Sequence, residues 1–187
     1  MRKGRLTVIA GCMSSGKSTE LMRLLRRAEI ADRRVIEFVP AIDHRSGAAI
    51  ASRDGGSRLA RAVADPRDIP AFADPTRCQV VGLDEMQFFP PTIVPIVNEL
   101  LDRGQEVIGA GLDTDFRGEP FGVMPLMLAL ADARPHVDAV CVVCKGPATR
   151  SQRLIDGKPV PYDGQIIHVG GNECYEARCR DCHEVPR

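Results

Sequence analysis

The chain has 187 residues, 44% of them hydrophobic, which is enough for one buried core and at most one small further unit. Lysine plus arginine and aspartate plus glutamate balance at 25 each, so no net basic charge attracts a nucleic acid polymer or an anionic membrane. No apolar run approaches the ~20 residues that cross a bilayer, and a predicted strand follows residues 1–5 directly. We therefore expect a cytoplasmic protein with a small-molecule partner.

The first predicted element is a strand over residues 6–10, followed by a glycine-rich loop and a helix. The loop, GCMSSGKST, fits the pattern G-x-x-x-x-G-K-[ST], which cradles nucleotide phosphates with backbone N–H groups at a helix N-terminus. Lys17 suits the β- and γ-phosphates, and the Ser18 hydroxyl suits Mg²⁺. The alternative is a glycine turn that only caps the helix. The loop residues expected at the phosphates are Gly11, Met13, Ser14, Ser15, Gly16, Lys17, Ser18 and Thr19.

The helix is predicted over Glu20–Arg34, because apolar residues up to Ile30 recur at helical spacing and form one face that packs on a sheet. Arg34–Pro40 is predicted as the second strand. A right-handed crossover would place this strand beside the first, so the opening of the chain is predicted to be a βαβ unit.

Polar residues follow the second strand at its carboxyl end, where open α/β sheets bind ligands. Asp43, His44 and Arg45 are therefore candidate substrate contacts. The next stretch, residues 46–58, is rich in glycine and serine and is predicted as a surface loop that either closes over a ligand or only links two elements.

A second candidate catalytic stretch begins with a buried apolar strand over Gln79–Leu83, which ends at two carboxylates. Opposite a phosphate loop, such a strand end supplies the acid that orients Mg²⁺, here Asp84. Glu85 lies one residue further and could accept the proton of an attacking hydroxyl or position a water molecule. The alternative is a solvated acidic pair.

The chain continues with a helix, a strand and a second helix. Thr92–Arg103 is predicted as an amphipathic helix that Gly104 ends, and Glu106–Leu112 as a buried parallel strand. Asp113–Arg117 forms a polar and aromatic tip after that strand. Phe121–Ala133 is predicted as a helix whose methionines fill the core.

Four of the seven cysteines form two C-x-x-C pairs, Cys141 with Cys144 and Cys179 with Cys182, separated by 34 residues. In a cytosolic protein this spacing is typical of a zinc ribbon, in which the metal holds a segment too small for its own core. His183 could replace Cys182 as a ligand, although the paired spacing favours the cysteine. The alternative is four unrelated buried thiols.

The order of these features resembles the type II thymidine kinases over nearly the whole chain. The resemblance rests on the amino-terminal phosphate loop, a strand ending D-E-x-Q-F-F, a G-L-D-x-x-F strand tip, and the carboxyl-terminal cysteine pairs. It implies an α/β fold in which residues 1–136 form a P-loop NTPase-type parallel sheet flanked by helices. Residues 137–187 would be a small zinc-ribbon or lasso domain. Family members form homotetramers and are inhibited by thymidine triphosphate.

The resemblance also implies the reaction. The γ-phosphate of ATP would pass to the 5′-hydroxyl of thymidine or deoxyuridine, with Glu85 as general base, Lys17 on the phosphates and Asp84 with Ser18 at Mg²⁺. Met86 and Gln87 would join the ATP site, and Zn²⁺ would be structural. The matched nucleoside-binding residues are Met13, Asp43, Arg45, Phe88, Leu112, Phe116, Ser151, Val169, Gly170, Gly171 and Tyr175.

Some residues depart from the family pattern, and two rival functions stay open. Cys12 and Ser14 stand where proline and phenylalanine are frequent in animal members, and Met86 stands where glycine is common. One rival is a P-loop ATPase whose zinc ribbon binds nucleic acid through its arginines, although the ribbon has only two tyrosines for stacking on bases. The other is a nucleoside kinase with a different base preference.

Overall fold

The computed structural model describes residues 3–41, 49–51, 57–166 and 173–187. The strands are β1 (Leu6–Ala10), β2 (Val35–Pro40), β3 (Ala49–Ala51), β4 (Ser57–Leu59), β5 (Arg61–Val63), β6 (Val80–Leu83), β7 (Glu106–Gly111), β8 (Ala139–Val140), β9 (Pro147–Ala148), β10 (Arg150–Ile155), β11 (Lys158–Pro159) and β12 (Glu173–Arg178). The α-helices are α1 (Lys17–Ile30), α2 (Ile69–Phe72), α3 (Ile93–Asp102) and α4 (Met124–Leu130), and short 3₁₀ helices span Pro66–Asp68 and Met86–Phe88.

A five-stranded parallel sheet in the order β1-β7-β6-β2-β5 forms the centre of the fold. The predicted α/β class is confirmed, but the predicted pairing of the second strand with the first is wrong, because β7 and β6 lie between them. Neighbouring strands in sequence usually pair. Here β7 and β6, which come later in the chain, occupy the positions between β1 and β2, and all four residues of β6 are buried.

Helices cover both faces of the sheet, and alternate strand residues point to opposite faces. On one face, α1 packs through Leu21, Leu25 and Ala28 against residues such as Ile9 and Ile108. On the other face, α3 and α4 pack against the remaining strand residues. Met124 and Met127 are fully buried there, which confirms the prediction that these methionines fill the core.

Two predicted helices differ from the observed ones at their ends. Helix α1 starts at Lys17 and ends at Ile30, and that isoleucine is 70% exposed rather than part of the packed face. Helix α4 spans only Met124–Leu130, because Ala131 leaves the helical conformation. The following residues run beside the free edge of β1, with the N–H groups of Val8 and Ala10 bonded to carbonyls of this segment. The edge segment, residues 131–137, thus covers one side of β1.

The carboxyl-terminal residues form two small antiparallel sheets. Strand β8 pairs with β9, and β10 lies between β11 and β12. The predicted loop at 46–58 includes β3 and most of β4, which pair as an antiparallel ribbon. In the part of the chain that the structure describes, no helix combines the length and apolar character needed to cross a bilayer.

Candidate active site

Three neighbouring strands bring the predicted catalytic segments to one edge of the sheet. Strand β7 lies between β1 and β6, and all three run in the same direction. The phosphate loop follows β1, the tip that begins at Asp113 follows β7, and Asp84 with Glu85 follows β6. Because the carboxyl ends of parallel strands lie at one edge, these groups surround a common space, as expected for a ligand site in an α/β fold.

Two glycines of the phosphate loop occupy backbone positions that are unfavourable for other residues. Gly16 caps α1 with a φ of 88°, in the left-handed region that favours glycine. At Gly11, a Cβ atom would lie 2.2 Å from the carbonyl oxygen of Val137, so only glycine fits against the edge segment. Lys17 Nζ donates to the Cys12 carbonyl at 2.7 Å. Burial lowers the pKa of Lys17, and the negative charges of Glu85, Asp84 and Asp113 oppose that shift.

Asp84 is a buried carboxylate, 5% exposed, at the end of β6. Its partners are the backbone N–H of Glu85, at 2.9 Å, and the hydroxyl of Ser18. Burial, together with the charge of Glu85, raises the pKa of Asp84 from 3.8 to about 7. The structure therefore brings together the two residues predicted at Mg²⁺. A cation that binds oxygen ligands there would compensate the negative charge of the buried Asp84 carboxylate, which is costly when unpaired.

This shift predicts how the nucleotide-free protein responds to pH. Between pH 3.8 and about 7, folded Asp84 holds a proton that the unfolded chain has released, so its stabilising contribution is lost as the pH rises through about 7. Asp84→Asn keeps the side chain neutral. Its urea midpoint, relative to that of the unmodified protein, should therefore rise between about pH 5 and pH 8.

Asp102→Asn is the matched control for this prediction, since Asp102 is exposed and contacts Lys3 at the surface. Urea unfolding of all three proteins at both pH values is the measurement. An Asp84→Asn protein with the same pH dependence as the unmodified protein would show that the buried carboxylate does not hold the proton.

Glu85 occupies a backbone conformation that is unusual for a residue with a side chain. Its φ is 51° and its ψ 43°, a left-handed conformation that costs roughly 1–2 kcal/mol. Gln87 secures its side chain: the Gln87 Nε2 donates to Glu85 Oε2 at 2.5 Å, while Gln87 Oε1 accepts the N–H of Leu112 at 2.9 Å. The buried amide therefore connects the candidate base to the tip of β7.

Aromatic and aliphatic residues of the predicted nucleoside-binding set lie in the segments after β6 and β7 and on β12. Leu112 and Phe116 are buried, and the Phe88 ring meets the Phe121 ring edge-on at 5.5 Å between centroids. Tyr175 is half-buried on β12. Met86, predicted at ATP, has its side chain fully buried in the core. Five predicted residues lie outside the described part of the chain: Asp43, Arg45, Val169, Gly170 and Gly171.

The carboxyl-terminal residues pack directly on the phosphate loop. The Cys12 thiol donates to the Ala148 carbonyl at 3.2 Å, and the Met13 N–H donates to Ser151 Oγ at 2.9 Å. Cys12 also shares a small buried cluster with Cys141 and Ala148. Ser151, predicted to contact nucleoside, thus holds the loop residue Met13, which the resemblance also places at the nucleoside.

Arg153 and His183 contribute to the same region in ways that the sequence did not reveal. Arg153 is 2% exposed, its Nη1 donates to the Gln165 carbonyl, and its guanidinium lies 5.4 Å from the centre of the Phe116 ring. His183 Nε2 donates to the Phe116 carbonyl at 2.8 Å. Arginine side chains are usually exposed, so no signal in the sequence marked Arg153 as a buried neighbour of Phe116.

The four paired cysteines form one cluster. The sulfur atoms of Cys141, Cys144, Cys179 and Cys182 all lie within 4.8 Å of one another. The Cys144 and Cys179 sulfurs are 3.6 Å apart, close to the ~3.8 Å edge of a tetrahedron with 2.3 Å zinc–sulfur bonds. Backbone N–H groups, chiefly that of Cys144, lower the pKa of Cys141 to about 6, which favours the thiolate that binds metal. The donor set fits a structural zinc ion.

Comparison with known proteins agrees with this arrangement. A family model described as thymidine kinase matches residues 4–183. A curated thymidine kinase from Coprothermobacter proteolyticus is 52% identical over 184 residues, which cover 98% of this chain and 92% of the relative. The match includes the phosphate loop, the carboxylates after β6 and all four clustered cysteines, so the chain belongs to the thymidine kinase family.

Proposed function

We propose that this protein transfers the γ-phosphate of ATP to the 5′-hydroxyl of thymidine, and also of deoxyuridine, in nucleotide salvage for DNA synthesis. The observation that carries the proposal is the Gln87 bridge. One end of its amide binds the Glu85 carboxylate and the other binds the backbone of Leu112. A general base held beside the buried apolar residues Leu112 and Phe116 suits a hydroxyl acceptor that is attached to a flat ring. A simple ATPase does not need an apolar binding surface at this position.

In this proposal the phosphate loop and Lys17 hold the phosphates of ATP. The Lys17 ammonium donates to the Cys12 carbonyl within the loop, so it is already held at the loop and can donate to phosphate oxygens after a small side-chain movement. Ser18 and Asp84 would hold Mg²⁺, which supplies charge neutralisation at the phosphates. Glu85 accepts the proton of the 5′-hydroxyl as that oxygen attacks the γ-phosphorus and ADP leaves.

We place the proposed nucleoside site at the apolar residues that follow β6 and β7. Leu112, Phe88 and Phe116 would receive the base and sugar, with Met13 approaching from the phosphate loop and Tyr175 from β12. Apolar groups suit the thymine methyl, and backbone groups suit the polar edge of the ring. The residues outside the described ranges, Asp43, Arg45, Val169, Gly170 and Gly171, keep the nucleoside-binding role that the resemblance implies.

We further propose that residues 137–187 act as a zinc-binding lasso domain on an ATP-binding domain of residues 1–136. Support comes from the four-cysteine cluster at the base of this segment and from its contacts with Cys12 and Met13. A homotetramer, feedback inhibition by thymidine triphosphate and a cytoplasmic location are proposed from the family resemblance.

A nucleoside panel tests the proposal most directly. With ATP and Mg²⁺, thymidine and deoxyuridine should be phosphorylated with a kcat/KM at least about tenfold above that of deoxycytidine or deoxyguanosine, because a site built around a polar base edge rejects a mismatched one strongly. Steady-state rates with each nucleoside are the measurement. Deoxycytidine as the best substrate would overturn the proposed base preference, and ATP hydrolysis without any nucleoside product would overturn kinase function.

A further inference from the structure

We propose that Asp113 and His136 form a clasp across the start of the phosphate loop and act as positioning residues of the ATP site. His136 Nε2 donates to Asp113 Oδ2 at 3.1 Å. The inference rests on the proposed use of ATP. Neither residue was assigned a role from the sequence, although Asp113 belongs to the G-L-D-x-x-F tip.

The strand register shows what this hydrogen bond spans. Ala10, the last residue of β1, is paired with Gly111 of β7 on one side and with His136 of the edge segment on the other. The phosphate loop begins at the next residue, Gly11. Since Asp113 comes just two residues after Gly111, the side chains of Asp113 and His136 approach from the two sides of β1 and meet beyond its end. The clasp therefore joins both neighbours of the strand from which the loop emerges.

The loop fits closely against the backbone that carries the clasp. Val137, the residue after His136, donates its N–H to the Ala10 carbonyl at 2.9 Å. Its own carbonyl would lie only 2.2 Å from a Cβ atom at Gly11. A shift of the edge segment toward β1 would bring the Val137 carbonyl into collision with Gly11, and a shift away would remove the packing contact of the loop. The hydrogen bond from His136 to Asp113, which follows β7, can hold the edge segment at the required distance.

The charge of Asp113 also acts on the loop. It is one of the negative charges that oppose the lowered pKa of Lys17, and it contributes to raising the pKa of the Cys12 thiol, whose main cause is burial. The Cys12 carbonyl accepts the bond from Lys17 Nζ. The Asp113 carboxylate thus acts electrostatically on the lysine that is proposed to bind phosphate, and His136 hydrogen-bonds that carboxylate.

The other nitrogen of His136 supplies a matched control. Its Nδ1 lies 3.1 Å from Asp138 Oδ1, the same distance as on the Asp113 side. Asp138 belongs to the same stretch of chain as His136 and is half exposed, so this contact does not reach across the loop. Removing Asp138 changes the charge next to the imidazole but leaves the clasp intact.

The test compares the affinity for ATP with Mg²⁺, measured by calorimetry, in His136→Ala, His136→Gln, Asp138→Asn and the unmodified protein. We expect His136→Ala to weaken ATP binding about fivefold, the scale of one hydrogen bond of ~1 kcal/mol, with less than a twofold change in the KM for thymidine. His136→Gln retains an N–H donor near the position of Nε2 and should recover most of the affinity. Asp138→Asn should bind ATP as the unmodified protein does.

Three results would overturn the clasp: unchanged ATP affinity in His136→Ala, an equal loss in Asp138→Asn, or a parallel loss of ATP and thymidine affinity together with a lowered melting temperature. The last result would indicate a merely structural pair. ATP binding is measured directly, so the clasp is tested even if thymidine proves not to be the acceptor. Failure of the proposed function is detected by the nucleoside panel, which is a separate experiment.

Discussion

Replacing Glu85 by glutamine should lower turnover with thymidine at least about a hundredfold, the usual scale for loss of a general base, and leave ATP binding near normal. The glutamine side chain still offers a carbonyl oxygen to the Gln87 Nε2, so the bridge to Leu112 can persist. What the variant loses is the ability to take the hydroxyl proton. The effect should therefore appear in kcat and not in the affinity for either substrate.

Glu99→Gln is the matched control for this experiment. Glu99 is a partly exposed residue of α3 that pairs with Arg103, and its replacement should leave kcat unchanged. Turnover and ATP affinity are measured for both variants. If Glu85→Gln keeps the rate of the unmodified protein, Glu85 has no part in proton transfer.

The second large effect concerns the cysteine cluster. The double variant Cys141→Ser, Cys144→Ser should lose a zinc content that we expect near one ion per chain, because two of four ligands are removed. Metal binding contributes directly to folding in such clusters, so the melting temperature should fall by roughly 10 °C or more. Since Ala148 and Ser151 bind the phosphate loop, ATP affinity should decrease as well.

Cys174→Ser is the control for the cluster, because Cys174 is an exposed thiol between the two pairs and lies outside the group of four. Zinc content by elemental analysis, the melting temperature and ATP affinity are measured for both variants. Full zinc retention in the double variant would mean that the ligands have been assigned wrongly. Zinc loss in Cys174→Ser would bring that residue into the site.

Local patterns were sufficient for much of the site. The phosphate loop, the carboxylates after β6 and the cysteine pairs were predicted because each is a short run of residues whose chemistry depends on its own spacing. Tertiary structure then confirmed that Ser18 meets Asp84 and that the four sulfurs form one cluster. The end of the helix predicted at Phe121–Ala133 was not predictable in this way, because residues after Leu130 follow the edge of β1 instead of their own helical propensity.

By itself, the sequence determined the α/β class, the candidate phosphate loop, the acidic strand end and the two cysteine pairs, since short runs of residues specify these features. Only the tertiary structure decided that β7 and β6 separate β1 from β2, that Gln87 connects Glu85 to Leu112, and that His136 reaches Asp113. These contacts join residues that are distant in the chain or depend on which strands become neighbours. Strand order depends on how whole elements pack on one another, and the sequence pattern of one element does not contain it.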